Sequence, residues 1–505
     1  MHQHLSERNR LRQSLWIVQG FSLQDKLAGI RNLLMDYKKH LTTAIAAAIL
    51  MGCASYQPKP IIPSDVVAGF ESRNLDNPGL KHFIQQNSKD NPKTWPPSSW
   101  DLSVLTLAAL YYSPDLDVAR AQWGVVKAGT ITAGALPNPG LGLSTKANTS
   151  FGTSPWPLAW NLDIPVETAG KRGYRLEQSK HLSQAALFNL YGTAWQVRSR
   201  LKAAYIELYL TQARINRLEE QEALWSTMAN LLDQRFSIGE SSLPENTQVH
   251  IALTQSHADL QEAQRRYGAA LAQVASVIGL PASRLHGINL SFAELTEVPK
   301  PENLPSPEAR RQALLNRTDI RAALAEYDAS QAALQLEIAR QYPDIHLGPA
   351  YVWDQDALKW QLGVSFSLPV FNRNEGPIGE AEARREEAAA KFNALQARAI
   401  NEVDAAWTSY QTVARQLISA DAALQEQHKR QRSTVAEFNA GESDHVALTG
   451  GQIELVTFEL ARLDTQVKAI QSAGLLEDAI QRPLAPEAFQ PSIAETNPRK
   501  KEDQP

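Results

Sequence analysis

The chain repeats itself about two hundred residues apart, and this duplication constrains its fold more than any other feature. Positions in the first half recur in the second at a constant offset of 204, and a Phe-x-x-Gly-Glu-Ser motif recurs at an offset of 202. A period this long exceeds the 20 to 50 residues of solenoid repeats. It predicts two copies of a domain-sized unit, at residues 101–295 and 305–484. The matching positions at the first offset are Asp115, Ala119, Ala121, Ala128, Pro139, Trp156, Pro165 and Val166 with Asp319, Ala323, Ala325, Ala332, Pro343, Trp360, Pro369 and Val370.

Composition favours long helices over several compact globules. The middle of the 505-residue chain is dominated by alanine, leucine, glutamine, glutamate and arginine, which is typical of long helical segments. The formal net charge of −4 provides no basic field for nucleic acid, so nucleic-acid binding is not expected. Cys53 is the only cysteine, which excludes a disulfide within the chain.

The context of Cys53 indicates export and lipidation. Lys38, Lys39 and His40 precede a short apolar run that ends in Leu-Met-Gly-Cys53, which is the pattern of a secretory signal and is too short to span a bilayer. The ending resembles a bacterial lipobox, which implies a lipoprotein signal peptide at 35–52, palmitate-type lipidation of Cys53 and a lipid-anchored segment at 53–100. The alternative is a buried cysteine in an uncleaved helix. Residues 1–34 are interpreted as an upstream extension before a start at Met35, with Met1 left open as the start.

Two segments alternate apolar and polar residues with a period of two, as strands with one apolar face do. Polar residues Asn161 and Asp163 fall between the apolar positions of the first segment, and Ser365 and Ser367 between those of the second. Candidate strands at 139–148 and 343–353 precede them, which predicts two hairpins. The apolar positions are Leu158, Trp160, Leu162, Ile164 and Val166, and then Leu362, Val364, Phe366, Leu368 and Val370.

Each predicted strand is about ten residues long, the length of a tilted strand that crosses a hydrocarbon layer. Four strands cannot close a barrel, and open edges are not tolerated in lipid. Strands in lipid would therefore require a barrel shared between chains, and three chains would supply twelve strands. The alternative is a pair of half-buried hairpins packed on a soluble core.

Two proline-free stretches predict helices of about 65 residues, or about 100 Å at 1.5 Å per residue. Each stretch reaches the duplicated motif, where a glycine is expected to end the helix in the left-handed conformation. Amphipathic return helices then follow at about 243–278 and 445–480. A heptad seam typical of helices packed side by side runs through Val403, Ala406, Tyr410, Val413, Leu417, Ala420 and Leu424, and a looser one through Val197, Leu201, Ala204, Leu208 and Leu218.

This arrangement resembles the TolC-type outer-membrane efflux proteins, over about residues 102–484. The segments 167–172 (Glu-Thr-Ala-Gly-Lys-Arg) and 369–376 (Pro-Val-Phe-Asn-Arg-Asn-Glu-Gly) are similar to those of the heavy-metal efflux branch of the CzcC and CusC kind. The resemblance implies a mixed α and β membrane protein, with four strands per chain of a shared 12-stranded transmembrane β-barrel and a long α-helical coiled-coil barrel. It also implies a homotrimer in outer-membrane lipid, a periplasmic adaptor and an inner-membrane pump of the resistance-nodulation-division class.

The candidate functional residues follow from the strands and from the resemblance. In a closed barrel, Asn161, Asp163, Ser365 and Ser367 would face the pore, and Trp156, Trp160, Trp353 and Trp360 would lie near lipid headgroups. The family docks its adaptor at the helical tips, which implies contacts at Phe236, Gly239, Glu240, Ser241, Phe438, Gly441, Glu442 and Ser443. Family tunnels narrow at aspartate rings, but the matching positions here are Ala447 and Gly450. The nearby carboxylates Asp444, Glu442 and Glu454 are the candidate periplasmic gate, and a solvated tip is the alternative for Asp444.

The resemblance implies a passive exit duct of a tripartite efflux system. Such a duct needs no catalytic group and no cofactor. No phosphate loop, nucleophile elbow or zinc-helix motif is present in the sequence, so an enzyme is not predicted. His250 and His257 are seven residues apart, about 10 Å along a helix, which is too far to share one metal ion. The resemblance to the heavy-metal efflux branch implies heavy-metal cations as the cargo. Drug or organic-compound efflux, type I secretion, and a lipid-anchored coiled-coil scaffold are the alternatives, and residues 485–505 are expected to be disordered.

Overall fold

A computed structural model describes residues 56–88, 94–145, 158–295, 298–299, 307–354 and 357–484. The chain divides into two units, residues 1–68 and 69–505. The predicted signal peptide, Cys53, Trp156, the first hairpin turn and the 485–505 tail lie outside the described residues.

The described residues contain ten α-helices, four strands and two 3₁₀ turns. In chain order they are α1 (Pro63–Glu71), α2 (Pro78–Asn87), α3 (Leu102–Tyr112), α4 (Pro114–Gly134), β1 (Gly140–Thr145), β2 (Leu158–Val166), α5 (Lys171–Ser237), α6 (Leu243–Ile278), the 3₁₀ turns Ala282–Arg284 and Ala293–Leu295, α7 (Pro307–Asn316), α8 (Thr318–Ala339), β3 (Ile345–Asp354), β4 (Ala357–Ser365), α9 (Glu375–Asn439) and α10 (His445–Ile480).

The two longest helices have nearly equal lengths and similar ends. Helix α5 has 67 residues and α9 has 65, and each is followed by a 36-residue return helix. Each long helix starts after a residue in the left-handed conformation, Gly170 (φ 73°) or Asn374 (φ 64°). The observed return helices have the predicted bounds. Duplication of the gene segment itself remains a prediction.

Both predicted heptad seams face the protein interior. Every position of the seam in α5 is buried, whereas in α9 only Val403 and Tyr410 are buried and the rest are half-buried. The looser pattern of the first copy therefore has the more complete burial within one chain. Among the described residues, no helix combines the length and apolar character needed to cross a bilayer.

The largest core cluster surrounds α3, which packs against α2, α5 and α6. Nine of the eleven α3 residues are buried, as expected for a helix that is apolar on all sides. Tyr205 of α5 lies in this core, and its hydroxyl donates to the carbonyl of Ser291 at 2.7 Å. Burial raises the pKa of this phenol.

The four strands form one antiparallel sheet in the order β1-β2-β3-β4. The two hairpins are joined because β2 pairs with β3, from Leu158 opposite Trp353 to Val166 opposite Ile345. Within the described residues, the outer edges of β1 and β4 have no ladder partner in this chain.

The predicted fourth strand was misplaced at its end. Strand β4 ends at Ser365, which pairs with His346 near the start of β3. Phe366, Ser367, Leu368 and Val370 follow the strand, because the ladder with β3 stops and Pro369 cannot donate a ladder hydrogen bond. Ser367 is therefore not a strand residue, contrary to the expectation.

Candidate pore face and helical tips

The sheet has one apolar face, because apolar residues lie opposite one another on all four strands. Leu143 is opposite Trp160, Trp160 is opposite Tyr351, and Tyr351 is opposite Trp360. The last three rings form a cluster, with centroids 5.9 Å apart for Trp160 and Tyr351 and 4.9 Å apart for Tyr351 and Trp360. Trp360 nevertheless remains 74% exposed. An exposed aromatic row of this kind indicates a surface that something else covers.

The opposite face carries small and polar residues. Asn161 lies opposite Gly142 and Ala350, and Asp163 lies opposite Gly140. Ser365 is on the same face as its partner His346. The ladder thus brings Asn161, Asp163 and Ser365 to one face, and excludes Ser367 from it.

Four polar residues of this face were missing from the prediction: Ser144, His346, Lys359 and Gln361. Gln361 is opposite Ala350, and Lys359 is opposite Val352. From position 346 to 352 this face of β3 reads His346, Gly348, Ala350 and Val352, and of these four residues only His346 is polar. Because small and apolar residues occupy most of this face, β3 lacks the alternation of apolar and polar residues that identified β2 and β4.

The side chains of His346 on β3 and Asp163 on β2 are hydrogen-bonded to each other. The imidazole Nδ1 lies 2.9 Å from Oδ1 and 3.2 Å from Oδ2 of the carboxylate. The side chains are 42% and 51% exposed. The pair is therefore held together while both groups remain accessible to water.

The junction between strands and helices is fixed by a buried lysine. Lys171, the first residue of α5, is 7% exposed, and its ammonium donates to the carboxylate of Asp344 at 2.7 Å and to the carbonyl of Tyr342 at 2.6 Å. The amide of Thr168 also donates to Asp344, at 3.0 Å. Burial opposes ionisation of Asp344, yet the ammonium and the amide together lower its pKa below the ordinary value. These contacts join the start of α5 to the start of β3.

The two helical tips have the same backbone geometry. Gly239 (φ 80°) and Gly441 (φ 78°) adopt the predicted left-handed conformation. The following amides, of Glu240 and Glu442, donate to carbonyls five residues earlier at 2.8 and 2.9 Å, which is a Schellman C-cap. The exposed glutamates thus hold each tip through their backbone.

The return helices are capped by Ser242 and Asp444, one residue after the serines of the duplicated motif. The Ser242 hydroxyl accepts from the amide of Glu245 at 3.4 Å, and the Asp444 carboxylate accepts from the amide of Ala447 at 2.8 Å. Ser241 and Ser443 precede these N-caps. The Ser241 hydroxyl instead donates to the carbonyl of Leu232 at 3.3 Å.

Asp444 also links the two tips. The guanidinium of Arg235, near the end of α5, donates to the Asp444 carboxylate at the start of α10. This guanidinium, and next the Ala447 amide, lower the pKa of Asp444. Arg235 was not predicted, because nothing in the local sequence indicates which residue of the other tip it contacts.

The other two gate candidates have different surroundings. Glu442 is exposed at the tip. Glu454 lies further along α10, where its carboxylate ion-pairs with Arg430 at 2.9 Å and accepts from Gln427 at 3.2 Å. The three carboxylates therefore do not form one cluster within the chain.

A groove of about 610 Å³ lies between the tips. Of the residues predicted to contact an adaptor, Phe438, Gly441 and Ser443 line it. Five others are outside its lining: Phe236, Gly239, Glu240, Ser241 and Glu442. Residues absent from the prediction complete it: Leu231, Gln234, Arg235, Ser237, Ile238, Asp444, His445 and Val446.

The histidines of α6 are engaged in pairs with carboxylates of α5. The Nε2 atom of His250 lies 3.0 Å from Asp233, and the Nδ1 atom of His257 lies 2.7 Å from Glu222. The side-chain amide of Gln261 contacts the other ring nitrogen of His257 at 2.8 Å. Across the residues that the structure describes, no three histidine, cysteine or acidic side chains come together as a metal site.

Comparison with known proteins agrees with this architecture. Residues 309–480 match the family model described as "outer membrane efflux protein". The resemblance to the outer-membrane efflux proteins is confirmed. The chain matches an efflux protein family and a channel structure, which also confirms the prediction that it is not an enzyme.

Two curated relatives are metal-resistance proteins. The cobalt-zinc-cadmium resistance protein CzcC of Cupriavidus metallidurans is 24% identical over 276 residues, which are 53% of this chain and 62% of that relative. The nickel-cobalt-cadmium resistance protein NccC of Alcaligenes xylosoxydans xylosoxydans is 25% identical over 309 residues, which are 59% of this chain and 67% of that protein. The match to CzcC thus spans less than two thirds of its length.

The fold is that of the TolC-type channels. The solved structure of CusC, described in terms of folding and transmembrane channel formation, superimposes with a TM-score of 0.62 at 17% identity. The match covers 85% of this chain and 99% of CusC. At this identity the likeness concerns the fold alone.

Proposed function

We propose that this protein is the outer-membrane exit duct of a tripartite efflux system, a homotrimeric passive conduit from the periplasm to the exterior. The observation that carries the proposal is a four-stranded sheet with one apolar and one polar face, joined through short segments to helices of 67 and 65 residues. The sheet matches a membrane pore wall, and the helices match a periplasmic tunnel of about 100 Å.

The open edges of the sheet support assembly from several chains. In lipid, the unpaired groups along β1 and β4 need partners. Pairing β4 of one subunit with β1 of the next supplies them, and three subunits close a twelve-stranded barrel. The aromatic face then contacts lipid, and the face with Asn161, Asp163 and Ser365 lines the pore.

Exposed apolar side chains on the helices support lateral contact between subunits. Val125 and Ile131 of α4 are 74% and 78% exposed, and Ile418 of α9 is 65% exposed. Only part of the α9 seam is buried within one chain, so neighbouring subunits would complete its packing. We place the adaptor at the tip groove, and an inner-membrane pump of the resistance-nodulation-division class beyond it.

The cargo we propose is divalent heavy-metal cations. Both curated relatives are named for resistance to such metals, cobalt and cadmium in each case. The duct itself would select weakly, and the pump would choose the cargo. We further propose that Cys53 carries the lipid anchor and that the helical body lies in the periplasm.

Reconstitution in planar lipid bilayers tests the proposal. We expect the purified mature chain to migrate as a heat-sensitive trimer in detergent and to give stepwise conductance. A control chain with the β1–β2 hairpin deleted should give no conductance. A monomer that remains in solution without detergent, or a trimer that never conducts, would contradict the conduit and favour the lipid-anchored scaffold.

The metal cargo needs a separate test in cells. Deleting the gene in its host should lower tolerance to cobalt, zinc or cadmium, and restoring it should recover the tolerance. Unchanged metal tolerance together with increased sensitivity to organic compounds would assign the duct to drug efflux instead.

A further inference from the structure

The contact between His346 and Asp163 on the polar face of the sheet fixes which ring nitrogen of the neutral imidazole carries the proton. A carboxylate can only accept a hydrogen bond, so the contact between Asp163 and the Nδ1 atom of His346 requires the proton on Nδ1. In the neutral ring, the lone pair is then on Nε2. Within the described residues, this Nε2 atom has no hydrogen-bond partner.

This arrangement is the one that metal-binding histidines use. A histidine that ligates a metal almost always donates its other ring N–H to a carboxylate, backbone carbonyl or water, which orients the ring and raises the basicity of the ligating nitrogen. The geometry around His346 provides the carboxylate, the ring and an accessible Nε2 atom.

We propose that His346 is a transit ligand for borderline divalent cations such as Zn²⁺, Co²⁺ and Ni²⁺, and that Asp163 is the positioning residue that presents its Nε2 atom to the pore. This inference rests on the proposed function, since it requires the polar face of the sheet to line the conduit. Imidazole nitrogen suits these ions, whereas Mg²⁺ and Ca²⁺ prefer oxygen ligands.

The surroundings of His346 leave space for a hydrated ion. Pro165 on β2 and Ser365 on β4 lie directly opposite His346, and the next positions of β3 and β4 on the same face are Gly348 and Gly363, which pair with each other. These glycines place no side chain over the ring. The ring therefore remains accessible to a cation that approaches along this face from the two glycine positions, in keeping with its 42% exposure.

The charged groups near His346 are consistent with brief binding. Asp163 is its partner, and Asp344 lies two residues earlier but is occupied by Lys171 and the Thr168 amide. One imidazole with one carboxylate behind it falls short of the three or four protein ligands of a stable zinc site. Weak binding suits a conduit, since an ion that is held tightly would block its own exit.

The test is chemical footprinting of the intact trimer in detergent. Diethylpyrocarbonate acylates unprotonated imidazole, and mass spectrometry reads the extent at each histidine. We expect His346 to react in the absence of metal and to be protected by Zn²⁺. His257 is the matched reference in the same sample: it also pairs with a carboxylate, but Gln261 contacts its second ring nitrogen. Its modification should be much less sensitive to Zn²⁺.

The Asp163→Asn variant tests the positioning role. Removing a partner of this kind typically weakens metal binding about 10- to 100-fold, so half-protection of His346 should require at least about tenfold more Zn²⁺. Mg²⁺ at the same concentration should not protect.

Several results would overturn the inference: an unreactive His346, protection no greater than at His257, or protection that is unchanged in Asp163→Asn. The footprint does not depend on ion flow. Protection without conductance would therefore retain the site and reject the conduit, and conductance without protection would do the reverse.

Discussion

The guanidinium of Arg198 in α5 lies 3.2 Å from the carboxylate of Glu477 near the end of α10, and both side chains are only 5% exposed. Lys202 adds a second cation at 2.7 Å, and the amide of Leu484 donates to the other carboxylate oxygen at 3.1 Å. A single carboxylate of the second half thus pairs with two cations of the first half. These contacts hold α5 against α10. No local sequence pattern predicts this pairing.

Replacing Glu477 with alanine should strongly destabilise the protein. The change removes the buried carboxylate that pairs with both Arg198 and Lys202, and breaking a buried pair by removing one partner costs about 3–5 kcal/mol. The matched control is Asp115→Ala, which removes the pair with Arg200 in which both side chains are more than half exposed. That pair should contribute less than about 1 kcal/mol. Thermal unfolding followed by circular dichroism would measure both, and equal shifts in Tm would contradict the assignment.

Asp478, the next residue, should make stability depend on pH. Burial raises its pKa above the ordinary 3.8, against the hydrogen bonds from Ser199 and Trp195. The protonated Asp478 therefore contributes to the free energy of unfolding in full below pH 3.8, and this contribution is lost as the pH rises through the pKa of Asp478 in the folded protein. Asp478→Asn retains an oxygen that accepts both hydrogen bonds and removes the buried charge.

We expect Asp478→Asn to unfold at a higher temperature than the native chain at pH 8. The difference should diminish as the pH falls toward 3.8. A variant that is less stable than the native chain at pH 8 would show that the ionised carboxylate is favourable in this site.

Local sequence signals predicted the helices well because these signals also terminate them. Proline-free runs, a glycine that adopts positive φ and amphipathic patterning are all local features, and they predicted return helices with the observed bounds. The predicted end of β4 was wrong because a strand end is not set by a local signal. Alternation continues to Val370 in the sequence, but a strand ends where its partner ends, and that is a property of the sheet.

Contacts between segments that are distant in the chain could not be predicted from the sequence. The pairing of β2 with β3, the ion pair of Arg235 with Asp444 and the pair of His346 with Asp163 each join residues about 180 to 210 positions apart. Charge and polarity identified Asp163 and Asp444 as candidates. Their partners depend on the register and on helix packing, which a single sequence does not encode in any local pattern.

Gly279 should be less tolerant of alanine than Gly239, although both have positive φ. At Gly279 (φ 90°) an added Cβ would lie 2.8 Å from the carbonyl oxygen of Tyr112, whereas at Gly239 (φ 80°) it would meet nothing within 4 Å. The left-handed conformation alone costs about 1–2 kcal/mol for alanine. Gly279→Ala should therefore lower Tm clearly more than Gly239→Ala, and the reverse order would contradict the contact.

Asp444→Asn should favour an open tip. Asparagine still caps α10 but loses the ion pair with Arg235, and a partly exposed pair contributes about 0.2–1 kcal/mol. We expect the open probability in planar bilayers to rise about two- to fivefold. Glu442→Gln is the control, because it removes a charge from the same tip without breaking that pair. If cation selectivity and open probability both match those of the native channel, Asp444 is not part of the gate.

Trp360 and Gln361 are neighbours on opposite faces of β4, so arginine at each position should have opposite consequences. Trp360 belongs to the aromatic face, and an arginine there would lie in lipid, where it costs up to about 2–4 kcal/mol near the middle of a bilayer. An arginine in place of Gln361 would lie in the wet pore beside Asn161 and Lys359. We therefore expect Trp360→Arg to reduce the amount of trimer recovered from outer membranes, while Gln361→Arg assembles and changes only ion selectivity. Normal assembly of Trp360→Arg would show that this face does not contact lipid, because an unpaired guanidinium is tolerated only where water reaches it.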